Sequence, residues 1–189
     1  DRAGIVHRLD KNTSGLMVVA KNQKSQKYLV EQLQSHSISR EYSAIVYSHM
    51  ISGGTISEPL GRDPKDRVKQ AVLRNGREAT THYRVINRFK SHTHVKAILE
   101  TGRTHQIRVH LSHIGHSLVG DSIYGGKVRY PKKASEDLKN ELFNFRRQAL
   151  HSKKLTLKHP KSGELLSWKL PLPEDMLKLL EALTEFDKN

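Results

Sequence analysis

The 189-residue sequence contains no cysteine. That removes thiol nucleophiles, disulfides and thiolate metal sites together, and it fits a reducing compartment, so a cytoplasmic location is the expectation. Long apolar runs are also missing. Hydrophobic residues make up 35% of the chain, and no stretch approaches the roughly 20 apolar residues that a membrane span requires. The first ten residues carry four charges and no apolar core, which does not read as a secretory leader. There is no Walker pattern and no Gly-x-Gly-x-x-Gly fingerprint, so nucleotide hydrolysis and dinucleotide binding have no support. Acidic residues are scarce: 19 Asp+Glu stand against 33 Lys+Arg, a formal net charge of +14 with a pI near 10.0. Such a field draws polyanions. An anionic membrane surface would also attract it, but the chain has no strongly amphipathic basic helix with a bulky apolar face, and nucleic acid is the expected partner. The composition is polar without being so poor in apolar residues that disorder is expected, and the length suits one domain with a full core.

Residues 16–20, Leu-Met-Val-Val-Ala, form a short apolar run suited to a buried strand. Asn22 is placed to cap a helix over Gln23–Gln34, where Leu29, Val30 and Leu33 recur at helical spacing. Residues 41–47 alternate as a strand with Tyr42, Ala44 and Val46 on one face. Gly53-Gly54 marks a turn, and residues 61–67 read as a charged loop. Strands are expected over 79–89 and 93–100, then a helix over 104–114 with Ile107, Leu111 and Ile114 on one stripe, ended by Gly115. Residues 120–130 read as a glycine-bearing loop. A hairpin of residues 150–158 and 164–170 turns at His159-Pro160-Lys161-Ser162-Gly163, and Pro173-Glu174-Asp175 opens a terminal helix carrying Leu177, Leu180 and Leu183. Strands outnumber helices, and short turns join most of them. The pattern predicts an α+β fold with a mixed, mainly antiparallel β-sheet and flanking helices. With no repeat, low-complexity tract or linker, residues 1–189 are expected to form a single domain.

The most informative segment is His7-Arg8-Leu9-Asp10-Lys11-Asn12-Thr13-Ser14-Gly15, which runs into the apolar residues 16–20. A carboxylate at the entrance to a buried strand must meet water or find a cation. Asp10 can also be read as a turn residue, because residues 10–15 are rich in turn formers. A candidate cation lies far downstream in Thr101-Gly102-Arg103-Thr104-His105-Gln106-Ile107-Arg108-Val109-His110-Leu111. Projected back along the expected helix, Arg103 falls on the stripe of Ile107 and Leu111, and an arginine at the buried end of such a stripe needs an acceptor. A pair of this kind serves equally as a structural salt bridge or as part of a site. His110, His113 and His116 are spaced by three, with His105 nearby. No His-Glu-x-x-His pattern accompanies them, so no metal is expected, and these histidines are read as RNA contacts or helix-ending residues.

Together the two long segments closely resemble the signature motifs of the RluA-type pseudouridine synthases, enzymes that isomerise uridine in RNA. Gly120-Asp121-Ser122-Ile123-Tyr124-Gly125 also follows a family pattern, and Leu150-His151-Ser152 with its hairpin looks like the family's C-terminal portion. The likeness is nearest to the RluD-like branch, whose members modify large-subunit ribosomal RNA. It implies the family's catalytic fold, with Asp10 as the nucleophile that is held against the ribose or the uracil ring while the base is released, rotated and rejoined through C5. It implies that Arg103 salt-bridges Asp10 and keeps it ionised and oriented. Tyr42, in the pattern tyrosine, any residue, alanine, would stack on the target base and is a candidate for moving the proton; on the residues alone it also reads as an ordinary strand aromatic. Arg8 matches the position that reaches into RNA where the target uridine is flipped out, or it is a surface phosphate contact. His7, Thr13, His105 and Gln106 complete the expected RNA-contacting set. The reaction has no redox step, so no cofactor or metal is expected. The expected partner is RNA, large-subunit ribosomal RNA by resemblance, with no membrane and no obligate protein partner, hence a monomer. Family members usually carry a sizeable stretch before the first motif, so the chain is expected to be an N-terminally incomplete fragment. The rival expectations are a non-catalytic RNA-binding protein that keeps the fold and, more weakly, a metal-dependent hydrolase using the histidines.

Overall fold

In the computed structural model, which describes residues 4–188, the chain passes from β1 (Ser14–Gly15) through α1 (Gln23–Gln34) to β2 (Ser39–Tyr47), β3 (Gly54–Ser57), β4 (Leu60–Arg62) and β5 (Gln70–Val72). The long strands β6 (Thr80–Arg88) and β7 (His92–Leu99) follow, then α2 (Gln106–His113) and α3 (Glu136–Asn144). The hairpin β8 (Leu150–Lys158) and β9 (Leu165–Lys169) leads into α4 (Glu174–Lys188). A seven-stranded sheet has the order β1-β8-β2-β7-β6-β3, with β9 beside β8, and β4 and β5 form a separate hairpin. Every pairing in the large sheet is antiparallel except β1 with β8. This is the α+β, mainly antiparallel architecture that the sequence predicts. Among the described residues no helix is long and apolar enough to cross a membrane.

The alternation of β2 distributes its side chains between two cores. Tyr42, Ala44 and Val46 pack with Val95, Ala97 and Leu99 of β7, with Ile107 and Leu111 of α2, and with Leu150. Ile45 and Tyr47 face the other side, where Leu138 and Leu142 of α3 and Met176, Leu179 and Leu183 of α4 close over them. A third cluster holds α1 to the sheet through Leu29 against Ile38, Leu155 and Leu157. Full burial of such side chains contributes about 1.5–3 kcal/mol each, and these contacts fix the framework that carries the site.

Four local expectations need correction. Residues 16–20 do not form a buried strand: sheet pairing stops at Gly15, Met17 and Val19 are exposed, and Val19 makes only a bridge to Ile5. The segment borrows its partners singly, from Ser152, from the His7 ring and from Gly4. Residues 61–67 are only partly loop, since Leu60–Arg62 pairs with Gln70–Val72. The helix expected over 104–114 begins at Gln106, because His105 adopts a left-handed φ of 57° that a right-handed helix cannot continue. The buried stripe of α4 is Met176, Leu179 and Leu183, and Leu177 faces solvent. α3 was not foreseen; Ser135 caps it by accepting from the Leu138 amide, and Glu136 and Asp137 complement its positive end.

Candidate active site

Asp10 lies in a turn that the rest of the molecule holds from several sides. Its carbonyl accepts the Thr13 amide at 2.9 Å, and Leu9 beside it packs into the main core. Asn12 and Gly15 have φ values of 70° and 115°. At Gly15 a Cβ would stand 2.3 Å from the Ser152 carbonyl oxygen, so only glycine allows the turn to approach β8. The Gln148 amide nitrogen donates to the Lys11 carbonyl at 2.7 Å and to Thr13 Oγ1 at 2.9 Å. Arg147 donates to the Asn12 carbonyl and is itself gripped by Asp175 of α4 at 2.6 and 2.8 Å.

The cation that meets Asp10 is Arg108. Its Nη1 lies 3.3 Å from Asp10 Oδ2, while its Nε and Nη2 take both oxygens of Asp121 at 2.7 and 2.9 Å. Asp121 also accepts the amides of Ile123 and Tyr124, and Arg108 stands over the Tyr124 ring at 5.0 Å. Burial works against both charges, yet the pairing prevails: Asp121 is held below the ordinary carboxylate value and Arg108 above the ordinary arginine value. The result is a carboxylate–guanidinium–carboxylate chain whose inner end is fully enclosed and whose outer member, Asp10, keeps 15% of its side chain accessible.

Asp10 opens into a cavity of about 520 Å³, in the range of about 300–1,000 Å³ that small-molecule groups occupy. Tyr42 forms part of its wall, with its phenol pushed up by burial and so un-ionised near neutrality. Four arginines line the same space, Arg8, Arg40, Arg77 and Arg103, and Asp10 is the single carboxylate among the lining residues. A cationic cavity around one anchored carboxylate suits a polyanion that delivers a reactive carbon to that carboxylate.

The sequence-derived residues divide. Asp10 and Tyr42 share the cavity as expected, and Arg8 stands exposed at its edge. Arg103 lines the cavity too, but its Nε donates to the Glu78 carbonyl at 2.9 Å and it does not pair with Asp10. The pairing expected of Arg103 belongs to Arg108, because the helix starts too late to carry Arg103 on its inward stripe. Gln106, expected at RNA, is buried and spends its amide on Thr80, Thr81, Thr101 and the Arg103 backbone. The Thr13 hydroxyl accepts from Gln148, and His7 accepts the Val18 amide at 3.0 Å, its pKa lowered by burial to about 4. The His105 Nδ1 is 2.8 Å from the Tyr124 hydroxyl. His110 bonds Thr81 and Glu58, and His116 bonds Ser48, so these imidazoles point to different partners. Arg108, Asp121, Arg40 and Gln148 were missed. The available signal was a charged residue inside the apolar run Ile107-Arg108-Val109, which implies a buried partner.

Comparison with known proteins points to one family. A profile described as RNA pseudouridylate synthase matches residues 1–113. The chain is 56% identical over 184 residues to ribosomal large subunit pseudouridine synthase D of Pseudomonas aeruginosa, covering 97% of this chain and 58% of that protein. It is 54% identical over 182 residues to the protein of the same name from Escherichia coli K12, covering 96% and 56%. The chain therefore spans little more than half the length of these curated relatives. Among solved structures it resembles human RNA pseudouridylate synthase domain containing 4, with a TM-score of 0.75, 28% identity and coverage of 95% of this chain and 75% of that one. Human RNA pseudouridylate synthase domain containing 1 shares the fold at a TM-score of 0.71 and 24% identity, over 95% of this chain and 79% of that one.

Proposed function

Because the chain belongs to the RNA pseudouridylate synthase family, we propose that it isomerises uridine to pseudouridine in RNA, with Asp10 as the nucleophile. The observation that carries this reading is the chain Asp10–Arg108–Asp121 at the wall of the cationic cavity. Binding RNA requires positive charge and stacking surfaces; it has no use for a carboxylate anchored on a buried arginine and turned toward the cavity. Asp10 Oδ would engage the substrate as the bond from C1′ to N1 breaks, and the base, once turned, is rejoined through C5, which then gives up its proton to solvent while N1 takes one up. Arg108 holds the carboxylate in one orientation and stabilises its charge. Tyr42, un-ionised and on the same wall, would lie against the base. A uridine inside a stacked helix cannot reach Asp10, so the nucleotide must be extruded, and Arg8 at the cavity edge is the residue to fill the vacated stack.

The names of the relatives, ribosomal large subunit pseudouridine synthase D, make large-subunit ribosomal RNA the substrate in this reading. Residues 1–189 then act as one catalytic domain, as a monomer and in the cytoplasm, where that RNA is found. The test is tritium release from large-subunit RNA transcribed with uridine labelled at C5. Asp10→Asn keeps the shape but loses the charge, and it should abolish release while RNA affinity stays within about threefold. Release within tenfold of the wild type would rule out Asp10 as nucleophile. RNA binding without release by the wild-type protein would favour a non-catalytic binder, and release abolished by a chelator would favour a metal-dependent reaction.

A further inference from the structure

Among the described residues two guanidinium groups are buried, those of Arg108 and Arg40. Arg108 is matched by two carboxylates. Arg40 is only 6% exposed, no ion pair or hydrogen bond to a described residue engages its side chain, and its Nε is enclosed without a partner. An unpaired buried charge is among the least tolerable groups in a folded protein, so a fold that keeps one has a counter-charge to receive. Arg40 is on the wall of the cavity that contains Asp10, and Asp10 itself is already balanced by Arg108. Among the described residues no carboxylate is left to balance Arg40, and a bound ligand can supply an anion.

Its position narrows the choice. Arg40 and Tyr42 are two residues apart on β2 and pair with Leu99 and Ala97 of β7 in unbroken register, so both side chains leave the same face of the sheet. Their Cα atoms stand about 6.5–7 Å apart along the strand, the scale that separates a base from the backbone phosphate beside it. Gly102 lies against the guanidinium so closely that a Cβ there would stand 2.4 Å from Nη1. Arg77 and Arg103 also face the space, and no acid but Asp10 does. We infer that Arg40 is the seat of a backbone phosphodiester of the substrate RNA, next to the extruded nucleotide whose base lies on Tyr42. The inference rests on the synthase reading for the identity of the polyanion, while its own observation is the unmatched charge of Arg40.

The experiment measures binding of a short uridine-containing RNA across a series of KCl concentrations, together with the thermal midpoint of each free protein. Arg40→Gln should weaken binding at least tenfold and reduce the slope of log affinity against log salt by about 0.7, the loss of one single-strand phosphate contact. Arg40→Lys should keep the slope. Gly102→Ala has no left-handed backbone to strain and meets mainly the movable end of Arg40, so it should displace the guanidinium and weaken binding in the same way. The thermal midpoint of Arg40→Gln should be equal to or above that of the wild type, because an unmatched charge has been removed. Unchanged affinity and slope in Arg40→Gln would overturn the inference; if the rate of tritium release at saturating RNA then falls at least tenfold, the charge serves the base instead. A lower thermal midpoint in Arg40→Gln, with Gly102→Ala like the wild type, would overturn it in favour of a structural arginine. None of the binding arms depends on isomerisation, so failure of the synthase reading would appear separately as absence of tritium release.

Discussion

Arg108 has three separate nitrogens in use, and removing it would strand two carboxylates at once. Arg108→Met should therefore destabilise the fold by about 3–5 kcal/mol, as expected when one partner of a buried pair is deleted, and it should abolish activity. Arg103→Met, which gives up one bond to a carbonyl on a partly exposed side chain, should cost no more than about 0.5–1.5 kcal/mol. Urea unfolding of the two variants side by side checks the assignment, and equal losses would contradict it. The five positions from Arg103 to Arg108 show where the sequence stops being readable at this scale. Helical periodicity needs a starting point, and the start was displaced by the left-handed His105, a conformation set by tertiary packing. The placement of Asp10 in a turn and of Tyr42 on a strand was legible because turn formers and strand alternation are local. Arg40 was not, because what marks it is the lack of a partner, and that exists only once the chain is folded.

The turn of residues 10–15 depends on Gln148 for two hydrogen bonds, and Gln148 is buried. Gln148→Ala should leave the Lys11 carbonyl without this donor, cost about 1–3 kcal/mol and lower the rate at saturating RNA at least tenfold by loosening the turn that carries Asp10. Asn22→Ala offers the contrast. It removes a helix cap on α1, a bond of 2.8 Å to the Ser25 amide, and should cost about 1 kcal/mol with no change in rate. Thermal midpoints and single-turnover rates of both variants would show whether rate follows the turn or merely stability. At this scale α1 and the long strands β2, β6, β7 and β8 were legible, since capping and alternation lie within the element. Residues 16–20 misled because their composition is apolar while only part of the run is covered. α3 escaped notice because two buried leucines, Leu138 and Leu142, are a faint stripe without the α4 surface they pack on.

For the molecule as a whole, burial lowers the pKa of several histidines, and for His7, His92 and His94 it falls to about 4 from an ordinary value of 6.5. Between those two values the unfolded chain binds protons that the folded chain refuses, so stability falls as pH drops from 6.5 toward 4 and is complete above 6.5. Proton uptake on unfolding near pH 5 should approach three from these groups. Urea midpoints at pH 7.5, 5.5 and 4.5 should decline in that order, and a flat series would contradict the burial of these rings. The fold class itself was legible from the succession of strands, short turns and helices. The approach of residues 11–15 to residues 147–152 was not, since contacts such as that of Arg147 with Asn12 span 135 residues.

That last contact bears on the order in which the protein is made. The turn with Asp10 is synthesised well before Gln148, Arg147 and Asp175, which support it. At about 5–20 residues per second Asp10 waits on the order of 10 s for its supports. On the proposed function, a chain still emerging from a ribosome would be inactive toward RNA near its own site of synthesis until residues 147–175 are clear of the exit tunnel.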